Sequence, residues 1–507
     1  MSIICKILNS ICKKLYKKEY IHFINACDIE KVQNEYLTNI LAENSDTEYG
    51  KKYNFADINN YSDFFEKVPL TTYEDYKPYI DKLCSGEKNI LTAEDIMLFE
   101  LTSGSSDGKK LIPYTKTLKE EFQKGIKPWL FDILKNVNGV CSGKSYWSIT
   151  PVTARNSFTD AGIPIGFEED SEYFGKIEKK LMDRIFAINS SVKFSSDMES
   201  FYMNTAKQLL KCRNLSLISV WNPTFLTILC DYIKEHKDEL IKHLNYKRRN
   251  ITLCALKEER FDLIFPNLKI ISCWADGSAE AYIPNIKKLF PDVYIQPKGL
   301  LATECFVSFP LVNENGSRLS IYSHFFEFRS LTDGKIYLAH QLSKGEYELI
   351  VTTGGGFYRY CIGDVVEVLE AFPNRPPLIK FLRRKGITSD IFGEKLTEEF
   401  IINVAKSIGI KDSFYLLASD KNRYCLYTKD ENITDDILDK ALCESFHYNY
   451  CRNLGQLQKA KIVIVGGEPE KDYISRLTAE GMRLGDIKPC HLSNRKDWDK
   501  WFKKGTI

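Results

Sequence analysis

Apolar positions recur at three- and four-residue spacing through residues 1–95, which predicts helices broken by an extended turn at "VPLTTYEDY". Residues 96–380 alternate strand-like and helical runs. "LKIISCWADGS" reads as a strand entering a Gly-Ser turn, "AEAYIPNIKKLF" as a helix, and "VYIQPKGLLATE" as a second strand ending in polar residues. Strand, helix, strand in that order predicts a parallel α/β sheet. "GEYELIVTTGGGFYRYCIGDVVEVLE" predicts two antiparallel strands about a glycine turn. The stretch "PNRPPLIKFLRRKGITSDIFGEKLTEEF", with its prolines, basic cluster and Gly386, reads as a linker. Beyond it, a helix over Leu396 to Ile408, strands "FYLLAS" and "RYCLYTK", a helix "TDDILDKALCESF" and a strand "KAKIVIV" predict a small α+β unit. The expected organisation is a large α/β domain over residues 1–382 and a small, hinged α+β domain over 383–507.

Two apolar stretches bear on membranes. Leu215 to Ile233 is interrupted by Asn222-Pro223 and Asp231, so a turn followed by a buried helix is expected rather than a span. The N-terminus sets Ile3, Ile4, Ile7, Leu8, Ile11 and Leu15 at helical spacing beside Lys6, Lys13, Lys14, Lys17 and Lys18. Two readings stand: a helix packed on its own domain, which is the expectation, and docking on a membrane surface.

Composition narrows the class. A chain of 507 residues implies about two to four domains. Hydrophobic content of 44% with 27% charged residues is that of a globular protein without stable membrane insertion. A net charge of +2 and the lack of any long Lys/Arg run argue against a nucleic-acid partner. The 15 cysteines form no CxxC pair, and the seven histidines form no cluster at zinc spacing. With no secretory signal, these cysteines read as reduced thiols of a cytoplasmic protein.

Three short motifs carry candidate chemistry. "TSGSSDGKK", from Thr102, offers backbone N–H groups and hydroxyls on a tight curve, followed by lysines. Such a loop can wrap phosphate oxygens, although its spacing is not that of a Walker loop. "LLATE" places Thr303 and Glu304 just past a predicted parallel strand, where ligands bind in open α/β sheets and a carboxylate can ligate Mg²⁺. "YRYCIGD" contains Tyr358, Arg359, Gly363 and Asp364, and a carboxylate in that setting can accept both hydroxyls of a ribose. Taken singly, each reads equally as an ordinary polar loop.

In this order, and followed by a basic hinge, the three motifs resemble the Gretchen Hagen family of auxin-responsive acyl-acid amido synthetases, within the adenylate-forming superfamily. "NSDTEYGKKYNF", "DFFEKVPLTTYEDYKPYI", "LTSGSSDGKKLIPYT", "VWNPTFL", "KGLLATE", "YRYCIGDVVEV" and "LGDIKPCHLS" each look like family segments, so the resemblance covers nearly the whole chain. It implies a large N-terminal adenylate-forming domain and a small mobile C-terminal one. Thr102, Ser103, Ser105, Ser106 and Lys110 would hold the ATP phosphates. Ala275 to Ser278 and Leu300 to Thr303, including Ala302, would line the adenine and acyl sites. Glu304 would bind Mg²⁺, and Asp364 the ribose, helped by Tyr358 and Arg384. Lys395 would reach phosphate, and Lys488 would bridge the acid to the α-phosphate. The helix from Leu118 to Leu134 and "VWNPTFL" would wall the acyl pocket.

The chain departs from the pattern in three places, one of them a linker motif looser than the superfamily's usual hinge. The phosphate loop is one residue short between Gly108 and Pro113, which leaves Lys109 and Lys110 as alternatives. Leu300-Leu301 stands where many adenylating enzymes carry Tyr-Gly. The implied reaction joins a small carboxylic acid to an amine, an amino acid being expected, through an acyl-adenylate made from ATP on a monomeric enzyme. The alternatives are an acyl-CoA ligase and a non-catalytic nucleotide-binding relative.

Overall fold

The computed structural model describes residues 2–101, 110–148, 157–166, 184–195, 197–372, 374–385, 388–392, 394–410, 414–482, 484 and 487–505. The chain begins with helices α1 (Ser2–Ile24), α2 (Ile29–Glu43), α3 (Glu48–Lys52), α4 (Tyr61–Lys67) and α5 (Tyr73–Cys84). Side chains of Asp28, Thr47 and Asn60 cap α2, α3 and α4 by accepting backbone N–H groups three residues on. The extended turn is shorter than expected. The backbone N–H of Thr72 donates to Asp75 Oδ2 at 2.7 Å in a capping box, so "YEDY" already belongs to α5.

Strands are numbered along the chain. A four-stranded parallel sheet is ordered β3 (Lys144–Trp147), β6 (Leu215–Ser219), β7 (Ile270–Cys273) and β8 (Tyr294–Pro297). A second sheet joins β1 (Leu98–Leu101), β2 (Leu111–Tyr114), β4 (Ser157–Phe158) and β5 (Pro164–Ile165). The largest is antiparallel and seven-stranded, in the order β12 (Ile336–Leu338), β11 (Phe325–Ser330), β13 (Gly345–Thr352), β14 (Tyr360–Phe372), β15 (Arg375–Arg384), β10 (Ser317–Leu319) and β9 (Ser308–Pro310). Helix α6 (Lys116–Asn136) lies between the sheets, opened by Thr115, whose side chain accepts from Leu118 N.

Three expectations are corrected. The linker reading of "PNRPPLIKFLRR" fails, because residues 375–384 form β15 inside the large sheet. Pro376 and Pro377 sit at the start of that strand, before its pairing with β10 at Leu378 and Ile379, so the missing N–H groups cost the ladder little. "AEAYIPNIKKLF" is not one helix but a 3-10 segment, Gly277–Tyr282, followed by helix Ile283–Leu289, with Pro284 in the first turn where a missing N–H is tolerated. Leu215 to Ile233 contains buried strand β6 as well as the buried helix Pro223–Glu235, which Asn222 caps.

Helix α1 packs on the domain, as expected, but of its six apolar residues at helical spacing only Leu8 is buried. Cys5, Leu8, Cys12, Tyr16, Tyr20 and Phe23 are buried, whereas Ile3, Ile4, Ile7, Ile11 and Leu15 are exposed. Among the described residues, no helix is long and apolar enough to cross a membrane.

The C-terminal part is α+β. Its sheet is ordered β20 (Lys461–Ile464), β19 (Arg423–Thr428), β18 (Tyr415–Asp420) and β21 (Leu492–Ser493), with β16 (Thr388–Ser389) and β17 (Leu396–Thr397) forming a separate pair. Helices Glu398–Ser407 and Asp435–Leu442 share a core there with Leu417, Tyr424 and Tyr448. A further core joins this part to the parallel sheet. Tyr146, Ile218, Phe225 and Ile271 pack in one cluster with Phe414, Tyr473 and Trp498. Across that seam, Asn222 Nδ2 donates to Ile487 O at 2.7 Å, buried.

Candidate active site

The end of the serine-rich loop, the turn after β8 and the β14–β15 hairpin meet in one place. Hydrogen bonds between Ala302 and Cys305, N–H to carbonyl at 3.0 and 3.3 Å in the two directions, close a tight turn around Glu304. The hydroxyl of Tyr114, at the end of β2, donates to Thr303 O at 2.7 Å and holds β2 against that turn. Lys110 leads into β2, with its ammonium 5.2 Å from the Tyr73 ring centroid. Asp364 and Arg384 are cross-strand partners on β14 and β15, with Nε and Oδ1 3.9 Å apart.

Electrostatics shows that these groups face one another. Burial pushes the Glu304 carboxyl above the usual carboxylate range, Arg384 and Lys110 pull it back, and Asp364 opposes them. Burial works against the charge of Arg384, but Asp364, Glu304 and Tyr360 outweigh it and hold the guanidinium above its ordinary value. Two cations and two carboxylates thus converge in a largely buried setting, where each charge acts more strongly than in water.

The Glu304 turn is supported from beneath. Phe306 N donates to His324 Nε2 at 2.9 Å, and His324 Nδ1 lies 3.0 Å from Glu121 Oε2. Glu121 also accepts from Gly354 N at 3.0 Å and from the Tyr36 hydroxyl at 2.5 Å. One buried network therefore ties the turn to α2, α6 and the loop after β13. Gly125 of α6 sits so close to the Phe306 ring that a Cβ there would lie 2.2 Å from it, so the helix approaches the turn only because residue 125 has no side chain.

Beside this group, at the C-terminal ends of the parallel strands, lies a tryptophan cluster. Lys298, 6% exposed, follows β8. Its ammonium is 2.6 Å from Ser219 Oγ and 4.5, 5.2 and 5.5 Å from the rings of Trp221, Trp129 and Trp147. Trp129 Nε1 donates to the buried Gln296 Oε1 at 3.1 Å, fixing that wall. Trp274 stands 5.9 Å from Trp221 and receives the ammonium of Lys488 at 5.2 Å. Next to it, burial lifts Asp276 to about 6 against the pull of Lys380. Gly277, at φ +59°, lets this loop press against Phe381 and Leu382 of β15. Open α/β sheets bind ligands at this end of their strands.

Lys110, Ala302, Thr303, Glu304, Asp364 and Arg384 thus come together. Thr102, Ser103, Ser105, Ser106 and the alternative Lys109 lie outside the described residues. Tyr358 is corrected. It is fully buried, stacks on Tyr49 at 5.3 Å and donates its hydroxyl to Leu91 O at 3.0 Å, away from the ribose role. The left-handed backbone of Arg359, φ +50°, turns Tyr358 into the core and leaves Tyr360 beside Glu304 and Arg384. Lys395 is exposed at φ +46°, on the turn into β17, and Lys488 is exposed above Trp274.

Sequence reasoning passed over Tyr360, the His324–Glu121 support and Lys298. The available signal was the tryptophans: the chain has six, and four of them (Trp129, Trp147, Trp221 and Trp274) gather at this one end of the sheet.

Residues 25–256 match the GH3 family N-terminal domain and residues 318–384 the GH3 family central domain. An indole-3-acetic acid-amido synthetase of Arabidopsis thaliana, GH3.2, is 24% identical over 461 residues, covering 79% of this chain and 81% of its own length. A jasmonoyl–L-amino acid synthetase of Nicotiana attenuata, JAR4, is 24% identical, covering 81% and 78% respectively. A 4-substituted benzoates-glutamate ligase of Arabidopsis thaliana is 23% identical, covering 73% and 72%. The solved structure of AtGH3.15 acyl acid amido synthetase in complex with 2,4-DB superimposes with a TM-score of 0.81 at 18% identity, covering 97% of this chain and 95% of that one, and so shares the fold. Together the two family models match more than half of the residues in this sequence, in the expected order, and the chain belongs to the GH3 family.

Proposed function

We propose that the protein is an ATP-dependent acyl-acid amido synthetase, which adenylates a carboxylic acid and passes the acyl group to an amino acid. The observation that carries this reading is the juxtaposition of two charge groups. Lys110, Glu304, Asp364 and Arg384 form a cluster of charges of both signs, and the tryptophan-lined Lys298 precedes Glu304 on the same segment after β8. Family membership supports the same reading, as do the amido synthetases and the glutamate ligase to which the chain is similar.

A carboxylate is a poor electrophile. Its attack on the α-phosphorus of ATP, with pyrophosphate leaving, makes the acyl carbon reactive. Attack by an amine then forms the amide bond and releases AMP. Such phosphoryl chemistry needs positioning and charge neutralisation more than covalent help. Lys110 and Arg384 offset phosphate charge, with the hydroxyls of Thr102, Ser103, Ser105 and Ser106 completing the loop. Asp364 accepts the ribose hydroxyls. Lys298 offers the acid carboxylate a cation between apolar walls, where its charge is little screened.

Mg²⁺ fits the donor set. Among the described residues no three His, Cys, Asp or Glu gather as a metal cage, while Glu304 is a buried carboxylate beside phosphate-binding cations. One or two carboxylates with substrate phosphates is the usual arrangement for this ion. Bound there by Glu304, it would neutralise phosphate charge. The part after β15 acts as a second domain, and its rotation exchanges Lys488 for other groups between the half-reactions. The enzyme on this reading is a cytoplasmic monomer acting on small molecules.

ATP–pyrophosphate exchange across a panel of carboxylic acids tests the reading. Exchange with at least one acid is expected, together with AMP release that depends on an amino acid. Glu304→Gln should lower exchange about a hundredfold with the fold intact. AMP release driven by coenzyme A would replace the reading with an acyl-CoA ligase. ATP binding without exchange for any acid would leave a binding protein.

A further inference from the structure

We infer that the outer face of α1 is a docking surface for an anionic lipid bilayer. The inference does not depend on the reaction assigned above.

Helix α1 is amphipathic in an unusual sense: both of its long faces carry apolar residues. The inner face is spent on the fold. Tyr20 packs at 4.5 Å from Phe131 of α6 and donates its hydroxyl to Asp132, and Asn9 Nδ2 donates to Cys141 O at 2.9 Å. The helix is therefore held lengthwise on the domain, with its outer face fixed outward. That face exposes Ile3 at 73%, Ile4 at 59%, Ile7 at 54%, Ile11 at 39% and Leu15 at 44%. Spacings of three and four residues align them in one stripe about 18 Å long. Large aliphatic side chains left this open, and in a row, mark an interaction site.

The charge around the stripe selects the partner. Lys6, Lys14, Lys17 and Lys18 are exposed beside it, while Lys13 turns toward Phe131 of α6, and no Asp or Glu occurs before Glu19. Glu19 itself faces Lys127 of α6 at 3.7 Å, so it does not neutralise the stripe. Two copies of this face would set four lysines against four, which disfavours self-association. A negatively charged bilayer satisfies both features at once. The isoleucines enter the acyl boundary, while lysine stems run along it and place their ammonium groups among anionic headgroups. A shallow, open groove lined by Ile3, Lys6, Ile7, Ser10, Ile11 and Lys14 runs along the stripe. The helix also precedes residues 25–256, which the family N-terminal domain matches, so docking can be added without disturbing the site.

Vesicle flotation of the full chain tests this. Binding is expected to vesicles of phosphatidylcholine mixed with phosphatidylserine, weakening as salt rises, and to be at least tenfold weaker to phosphatidylcholine alone. Ile7→Ser with Ile11→Ser should reduce binding more than about tenfold. Lys14→Gln with Lys18→Gln should reduce it about fivefold per lysine. Both pairs are exposed, so melting temperature should not move, and Lys440→Gln on the C-terminal part should change nothing. Failure to float with either vesicle, or binding indifferent to the isoleucines, overturns the proposal. Sedimentation as a dimer that Ile7→Ser with Ile11→Ser dissolves would assign the face to a second copy instead. Capture of an acidic protein domain by a chain that ignores vesicles would assign it to a protein.

Discussion

Replacing Arg359 by methionine should cost about 3–5 kcal/mol of stability, the range for breaking a buried ion pair from one side. Arg359 is 3% exposed and Glu327 1%, so neither charge can turn to water. The guanidinium donates from Nε to both carboxylate oxygens at 3.1 Å, and Nη1 donates to Phe65 O at 3.0 Å and Val68 O at 2.8 Å. Methionine fills much of the volume and makes none of these bonds. Two carbonyls at the C-terminal end of α4 then lose a donor, and Glu327 keeps its charge without its cation. The carboxylate can escape part of the cost by taking up a proton. Burial already raises the Glu327 pKa, and Arg359 is the main group holding it down, so the variant should raise it further. An acid whose folded pKa lies above its unfolded one stabilises the native state below the ordinary glutamate value, and that contribution is lost as pH rises through the folded value. The deficit of Arg359→Met should therefore be smaller near pH 5 than near pH 8. Urea unfolding of the wild type, Arg359→Met and Arg359→Met with Glu327→Leu at both pH values is the assay. The double variant should recover most of the loss, because it removes the stranded charge. A single variant within about 1 kcal/mol of wild type, or a deficit independent of pH, would refute the reasoning.

Asp364→Asn should weaken ATP binding by about 1.5–3 kcal/mol while leaving acid affinity alone, which calorimetric titration reads directly. Lys488→Ala should strongly slow acyl-adenylate formation yet barely touch aminolysis of a synthetic acyl-adenylate; equal loss in both halves would exclude the role. His491 is buried with Nδ1 3.2 Å from Tyr415 O, and burial lowers its pKa to about 4. Its folded value lies below the unfolded one, so its contribution is present above the ordinary histidine range and lost as pH falls toward 4, on the order of 3 kcal/mol. His491→Gln should flatten the melting temperature over that interval, and an unchanged profile would show that other groups set it.

Periodicity revealed the elements whose two faces differ. The parallel strands β7 and β8 and the β13–β14 hairpin stood out in the pattern. It failed where local chemistry opposed tertiary packing. Pro376 and Pro377 look like linker residues, and only the neighbouring strands of a finished sheet make room for them at the head of β15. Helix α1 was misread in a different way. Isoleucine outranks cysteine and tyrosine in any hydrophobicity ranking, yet the cysteines and tyrosines fit against α6 and the isoleucines stayed outside. In the site, Glu304 and Asp364 were visible because each sits in a compact motif, whereas Arg384 became so only with the family resemblance. Lys298 was not, since its partners Trp129, Trp147, Ser219 and Trp221 come from three other segments and meet only once the parallel sheet has formed. Tyr358 and Tyr360 differ only by which side of a left-handed residue they fall on, and a strand-like pattern does not register that reversal.

The core that runs from Phe225 and Ile271 into Phe414, Tyr473 and Trp498 has a thermal consequence. Rotation of the C-terminal part away from the parallel sheet would return that aromatic surface to water. Exposing apolar surface carries a positive heat-capacity change, and the attraction that closes such a seam weakens on cooling. If the proposed rotation occurs, the balance between docked and released arrangements would bend with temperature even though no charge at the site changes. Turnover limited by that balance would trace a curved Arrhenius plot, with the curvature arising at this seam rather than at Glu304.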